Sequence, residues 1–349
     1  MKAAVLHANK DIRYEDWSDP VTKPGAIKVR VRAAGVCGSD IPRVLANGCH
    51  FYPIVLGHEF AGVVAEIGEG VTGFEPGDRV AGAPLLPCMR CEDCQRGDFS
   101  LCRHYSFIGS REQGGFAEYV VLPARNAVKF DSSVPFELGA MFEPSTVALH
   151  GLYCNDFRGG GDTAILGAGA IGIFTMQWAR IMGAKRVVVF DIDDDRLALA
   201  ARLGADVAVN TLRDGFMEEA RAATGGQGFD YVFETAGNPA TMRMAFDAAG
   251  GKARVCFIGT ATKEIVFSPA LMELMNRKEF RLTGSWMSYS APFPGREWEL
   301  TARCFADGRL RFDEGFVFRR FPLEQAAEAF ALYETPGAVK GKILLTMGE

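Results

Sequence analysis

Four cysteines fall close together in the sequence, as Cys88-x-x-Cys91-x-x-Cys94 with Cys102 after seven intervening residues. Four thiolates at this spacing suit a closed tetrahedral zinc site, which adds folding energy and leaves no position for a substrate. An iron–sulfur cluster uses similar thiolates, but no second group for electron transfer accompanies them. A second set is dispersed: Cys37 in VCGSD, His58 and Glu59 in GHE, Glu143 in FEP. One sulfur, one imidazole and one or two carboxylates make an open site, whose fourth zinc position is left for water or a substrate oxygen. Taken singly, each has an ordinary role as a core cysteine, a hydrogen-bonded histidine or a turn-capping glutamate. Their flanking glycines and short motifs lift them together.

A third constellation is Gly167-Ala168-Gly169-Ala170-Ile171-Gly172, a G-x-G-x-x-G match. The apolar run TAIL precedes it as a strand, IGIFTMQWARIM follows as a helix, and Asp191 ends the next strand, RVVVF. Glycines there let the backbone approach a pyrophosphate at the helix N-terminus, and the acid accepts hydrogen bonds from a ribose diol. Gly167, Gly169, Ile171, Gly172 and Asp191 are therefore candidate dinucleotide contacts. An acid at this position favours NAD over NADP, because it repels a 2′-phosphate. Lys185, Arg186 and Arg196 nearby pull the other way, and Arg196 joins the candidate cofactor contacts.

These residues need two kinds of scaffold. Up to about residue 144 the chain reads as short strands and turns, such as AIKVRVRAAGV (26–36), GVVAEIG (62–68) and the turn EPGD (75–78). From 145 to 287 helices alternate with buried apolar strands, the pattern of a doubly wound parallel sheet. From 288 the pattern is mixed again and ends in GKILLT (341–346), which is expected to return to the first domain. The fold class is α/β, with a β-rich domain that carries both sets of candidate metal ligands (1–144 and 288–349) and a Rossmann domain (145–287). A length of 349 residues fits two cores. With 48% hydrophobic and 23% charged residues, disorder is excluded as the main state. A net charge of −5 argues against a nucleic-acid partner. No apolar run is long enough to span a membrane. Nine cysteines, an odd number, and no secretory signal point away from a disulfide framework and toward the cytoplasm.

Together the motifs resemble the zinc-dependent medium-chain dehydrogenase/reductase family. Gly57-His58-Glu59-x-x-Gly62-x5-Gly68-x-x-Val71 fits its zinc signature, and Cys37-Gly38-Ser39-Asp40, the four-cysteine lobe, Gly114-Gly115-Phe116-Ala117-Glu118-Tyr119 and the glycine loop follow in the family's order. The resemblance implies a GroES-like catalytic domain, two zinc ions per chain, NAD, and a dimer or tetramer. It implies Cys37, His58 and Glu143 as ligands of the catalytic zinc, with Glu59 beside the metal and able to exchange with Glu143 or water. Glutamate at 143 points to the polyol branch, and so do the strings CGSDIPRVLANGCHFYP (37–53) and GSWMSYSAPFPGREWE (284–299). The implied reaction oxidises a secondary hydroxyl of a polyol or sugar-alcohol phosphate to a ketone. Sorbitol- or threonine-type dehydrogenases are the rivals within the family, and a non-catalytic NAD-binding sensor the rival outside enzymes. One departure stands out: Pro42 occupies the position of the relay histidine of alcohol dehydrogenases, so the proton must leave through Ser39 or another route. Ser285 and Trp286 are implied near the nicotinamide. A substrate phosphate would need a local cationic pocket, for which Arg43, Arg111 and Lys340 are candidates.

Overall fold

The alternation in 26–36 becomes one long strand of the computed structural model, which describes residues 1–348. The chain divides into two compact units. One comprises Met1–Glu143, Tyr289–Gly308 and the described chain from Val317 onward; the other comprises Pro144–Ser288 and Arg309–Phe316.

The first unit begins with β1 (Lys2–Ala8), β2 (Asp11–Asp16), β3 (Ala26–Gly35), β4 (Ile54–Val55), β5 (Glu59–Ile67) and β6 (Arg79–Gly82). It continues with β7 (Leu85–Leu86), β8 (Ser106–Phe107), β9 (Tyr119–Pro123) and β10 (Ala127–Lys129). Val29, Val31, Phe60 and Phe116 are buried in its core, and each such side chain contributes roughly 1.5–3 kcal/mol by leaving water.

The second unit carries β11 (Asp162–Leu166), β12 (Arg186–Asp191), β13 (Val207–Asn210), β14 (Phe229–Glu234), β15 (Ala249–Phe257) and β16 (Arg281–Gly284). They form one sheet in the order β13-β12-β11-β14-β15-β16, every neighbouring pair parallel. Parallel strands need crossovers, and helices such as Ala170–Ile181, Asp194–Leu203 and Pro239–Ala248 supply them. The helix at Asp194 starts where the Asp193 carboxylate accepts from the N–H groups of Asp195 and Arg196, and it stops at left-handed Gly204. Strand order reverses beside β11, so the carboxyl ends of β11 and β14 flank the crevice where such sheets bind ligands.

The end of the chain returns as β17 (Val317–Pro322) and β18 (Lys342–Thr346). β18 pairs antiparallel with β3, completing a sheet ordered β10-β6-β5-β3-β18-β17, with β9 also on β3. The reading of 288–349 as one returning segment needs a correction, because Arg309–Phe316 belongs with the second unit. Phe316 packs 5.1 Å from Phe174. Arg202 grips Asp313 with two bonds of 3.0 Å. The Gln177 side-chain amide bonds both backbone groups of Arg311, at 3.1 and 2.7 Å. These specific contacts outweigh continuity along the chain.

Candidate metal centres and dinucleotide loop

The four-cysteine loop leaves β7 and returns at β8. Its sulfurs lie mutually within 4.8 Å, with Cys91–Cys94 at 3.5 Å, Cys91–Cys102 at 3.9 Å and Cys88–Cys94 at 4.0 Å. A tetrahedron with Zn–S bonds of about 2.3 Å has sulfur–sulfur edges of about 3.8 Å, so the donor set fits zinc. None of the nine cysteines is paired in a disulfide. Backbone N–H groups of Cys88 and Cys91 point at the sulfurs of Cys102 and Cys88, both at 3.3 Å. Backbone donors from Arg90 and Cys91 bring the Cys88 thiol down to about 6. Burial pushes Cys94 up to about 12. A bound dication removes that disparity by favouring thiolate at every position.

The open set is assembled by strand register. Gly35, at the end of β3, pairs with Glu59, at the start of β5, and with Leu344 of β18. Cys37 follows the first of these strands and His58 precedes the second, so both arrive at one end of the sheet. Cys37, His58 and Glu59 offer ligand atoms within 4.8 Å of one another. Ser39 is exposed at the edge of this trio, its Oγ 3.4 Å from Cys37 Sγ. Buried Asp40 accepts the Cys37 N–H at 3.1 Å and sets Oδ1 3.4 Å from His58 Nδ1, without hydrogen-bond alignment. Burial disfavours the His58 cation, yet Asp40 and Cys37 outweigh it and raise the imidazole pKa well above its ordinary value.

Glu143 opens the helix Phe142–Cys154 and is buried. Burial pushes its carboxyl up to about 7; His58 opposes this and Glu59 adds to it. Its oxygens do not join the trio at the 4.8 Å separation, so Glu59, which the resemblance placed beside the metal, is the carboxylate grouped with Cys37 and His58. Glu59 in turn is gripped by buried Lys342, whose Nζ donates to Oε1 at 2.6 Å and also contacts Oε2. A Cβ on Gly35 would lie 2.2 Å from Glu59 Oε2, so this glycine makes room for the pair. The cluster is rich in buried acids and one thiol about a single imidazole, a donor set that fits a divalent cation.

In the second unit the glycine loop has three distinct backbone demands. Gly167 is left-handed at φ 110°. A Cβ on Gly172 would stand 1.8 Å from Gly167 O, whereas one on Gly169 would meet nothing within 4 Å. The chain thus packs tightly behind the loop and leaves room in front, as a pyrophosphate requires. Ile171 is half-buried in the first turn of the helix. Asp191 accepts backbone N–H bonds from Ala168 (2.7 Å), Ile192 (2.8 Å) and Asp193 (3.0 Å). It therefore ties the glycine loop to the end of β12, a duty the motif alone did not disclose. Gly167, Asp191, Arg196, Asn238 and Arg243 help line a cavity of about 690 Å³.

Other expected residues fall elsewhere. Ser285 follows β16, donates its N–H to Phe257 O at 3.0 Å and does not line that cavity, while Trp286 is 52% exposed. Arg43 donates from Nη1 to Ser39 O at 2.6 Å and to Ser39 Oγ at 3.0 Å. Arg111 lies over the Tyr105 ring. Lys340 is exposed, and the lysine of this segment that reaches the open trio is Lys342. Asp40 and Lys342 were missed as positioning residues; the one lies inside a quoted motif, the other carries no spacing signal.

Fold and site together define a zinc-binding dehydrogenase. Residues 23–132 match the GroES-like domain of alcohol dehydrogenase, and residues 170–303 match the zinc-binding dehydrogenase family. The chain belongs to the zinc-dependent medium-chain dehydrogenase/reductase family, whose members are oxidoreductases. It is 37% identical over 346 residues to galactitol 1-phosphate 5-dehydrogenase of Escherichia coli K12, covering 99% of each chain. The crystal structure of galactitol-1-phosphate dehydrogenase from Escherichia coli superposes with a TM-score of 0.93 over 99% of this chain and 100% of that one, at 37% identity. L-idonate 5-dehydrogenase of Vitis vinifera is 38% identical over 274 residues, 75% of this chain and 74% of that one. A Sinorhizobium meliloti protein assigned to the zinc-binding dehydrogenases, bound to NADP, superposes with a TM-score of 0.89 over 99% of this chain and 98% of that one, at 30% identity. No helix among the described residues is long and apolar enough to cross a membrane.

Proposed function

We propose that the protein oxidises a secondary hydroxyl of a polyol to a ketone with NAD as hydride acceptor. Cys37, His58 and a carboxylate of Glu59 or Glu143 hold the zinc that serves the reaction, and Cys88, Cys91, Cys94 and Cys102 hold a second, structural zinc. The observation that carries this reading is the open trio with the exposed Ser39 hydroxyl at its edge.

Zinc at the open site supplies Lewis acidity, which brings the pKa of an alcohol toward neutrality. The dinucleotide supplies the hydride acceptor. The chain's own residues orient the groups and handle the proton. Asp40 faces His58 Nδ1 at 3.4 Å, which leaves Nε2 as the ring nitrogen available to the metal. Lys342 competes for the Glu59 carboxylate and holds it in place. Ser39 Oγ accepts the substrate's proton as it releases its own, and Arg43, donating to the same oxygen at 3.0 Å, orients the hydroxyl for that exchange. Pro42 has no exchangeable proton, so Ser39, being exposed, passes it directly to water. Three of about four acceptor sites on the Asp191 carboxylate are used by backbone, which leaves one for a ribose hydroxyl. Its charge opposes a 2′-phosphate and supports NAD over NADP.

The two relatives' names support a polyol with an anionic end: galactitol 1-phosphate and L-idonate each carry an anion at one terminus and are oxidised at position 5. The test is reduction of NAD and NADP with a panel of free and phosphorylated polyols, with threonine included. Reduction of NAD by polyols is expected. Cofactor binding without turnover on any polyol would make the protein a sensor, and faster oxidation of threonine would move it to the threonine-type enzymes.

A further inference from the structure

Three basic side chains of the first unit, Arg43, His50 and Arg111, come from segments around the open trio with most of their donors unspent. Arg43 begins the single π-helical turn Arg43–Asn47. Its Nη1 is committed to Ser39, while Nε and Nη2 have no hydrogen-bond partner among the described residues. The carboxylate oxygen within salt-bridge range of it is Asp40 Oδ1, at 3.7 Å.

Arg111 comes from a different loop. Its N–H bonds Phe107 O at 2.8 Å, and the Phe107 ring packs edge-on against His58 with centroids 5.6 Å apart. The loop is held to the strand before His58 by Gly114 N to Val55 O at 2.8 Å and Gly115 N to Gly57 O at 2.7 Å. The guanidinium stands 4.7 Å over the Tyr105 ring and reaches its hydroxyl only at 3.5 Å, with no carboxylate in range among the described residues. His50 is exposed and neither ring nitrogen has a hydrogen-bond partner among the described residues. Its segment is pinned by Asn9 Nδ2 to Ala46 O at 2.8 Å, and by Tyr52, which accepts from Cys49 N at 3.1 Å and donates to Asn9 at 2.7 Å. Partial burial together with the charges of Arg111 and Arg43 lowers the His50 pKa, so two guanidinium fields meet at this ring.

Lone surface arginines are ordinarily just solvated. Here a chain of net charge −5 sets one guanidinium on the exposed Ser39 hydroxyl, brings the fields of two guanidinium groups together at an imidazole, and leaves their forks open. Such forks match a tetrahedral oxyanion, each giving parallel N–H bonds. We propose that Arg43, His50 and Arg111 form a subsite for the terminal phosphate of a phosphorylated polyol, which fixes the carbon presented for oxidation. The assignment rests on the polyol reading and deepens it. The phosphate anchors one end of the chain, and the distance to the trio selects a hydroxyl several carbons away.

The test compares galactitol 1-phosphate, galactitol and L-idonate with the zinc-loaded protein. The phosphorylated polyol is expected to have a kcat/KM about ten- to a hundredfold above galactitol, mainly through KM. Arg111→Ala should shrink that ratio by a similar factor, and Arg111→Lys, which keeps the charge and loses the fork, should shrink it less. Inorganic phosphate should inhibit the unmutated protein competitively against galactitol 1-phosphate, a result that does not depend on a variant folding. Calorimetric binding of galactitol 1-phosphate, weaker for Arg111→Ala, needs no turnover. Equal kcat/KM for the free and phosphorylated polyols would overturn the subsite and leave the polyol reading standing. Preference for L-idonate would replace phosphate by carboxylate and so overturn the assignment. Tight calorimetric binding without oxidation of any polyol would support the subsite and overturn the dehydrogenase reading instead.

Discussion

The four-cysteine lobe and the open trio both belong to the first unit, yet they are built by opposite means. Cys88, Cys91, Cys94 and Cys102 come from one loop, and their spacing in the chain is already close to their spacing in space. Cys37, His58 and Glu59 come from the ends of two strands, and only the pairing of Gly35 with Glu59 brings them together. The difference teaches where each centre's energy goes. The lobe has a short helix and little core of its own, so metal binding there would supply its folding energy. The trio sits on a sheet already held by buried Val29, Val31 and Phe60, so a metal bound there would be free to serve chemistry.

Substitutions that separate these roles break the comparison most sharply. Cys91→Ser removes one corner of the closed tetrahedron; thermal unfolding and metal analysis should show loss of one zinc and a large fall in Tm, the largest of any single change considered. Cys37→Ser should keep Tm and the lobe's zinc while kcat/KM falls about a thousandfold or more, since the several kcal/mol supplied by the Lewis acid are lost. A third change asks how the trio is held. Lys342→Met leaves Glu59 buried without its cation, and denaturant unfolding should register a loss of about 3–5 kcal/mol. Adding Glu59→Gln to it should recover most of that loss.

The smallest effects lie in the glycine loop of the second unit. Gly172→Ala puts a methyl 1.8 Å from Gly167 O and should cost about 1–3 kcal/mol of stability. Gly169→Ala meets open space, so stability should hardly change while dinucleotide affinity falls. Unfolding curves beside cofactor titrations distinguish the two.

Local features were legible in the sequence and long-range ones were not. The cysteine spacing, the glycine loop and Asp191 announce themselves because one turn or one strand–helix unit sets their geometry. The alternating strand at 26–36 and the buried run TAIL were legible for the same reason. Lys342 was not, since it lies 283 residues from Glu59 and meets it only through the register of β18 on β3. Arg309–Phe316 joined the second unit through side-chain contacts that no periodicity encodes. His50 was overlooked because an exposed histidine in a loop has no signal until Arg43 and Arg111 are seen around it.

The central claim is that one chain holds two zinc ions for two separable purposes. Stepwise chelation, following bound zinc, turnover and Tm together, tests it most directly. Two zinc ions per chain are expected; the first to leave should take the activity with it and leave Tm nearly unchanged, the second should take the fold, and zinc returned after the first step should restore turnover. A single zinc in fully active protein, or two that leave together with the fold, would contradict the account.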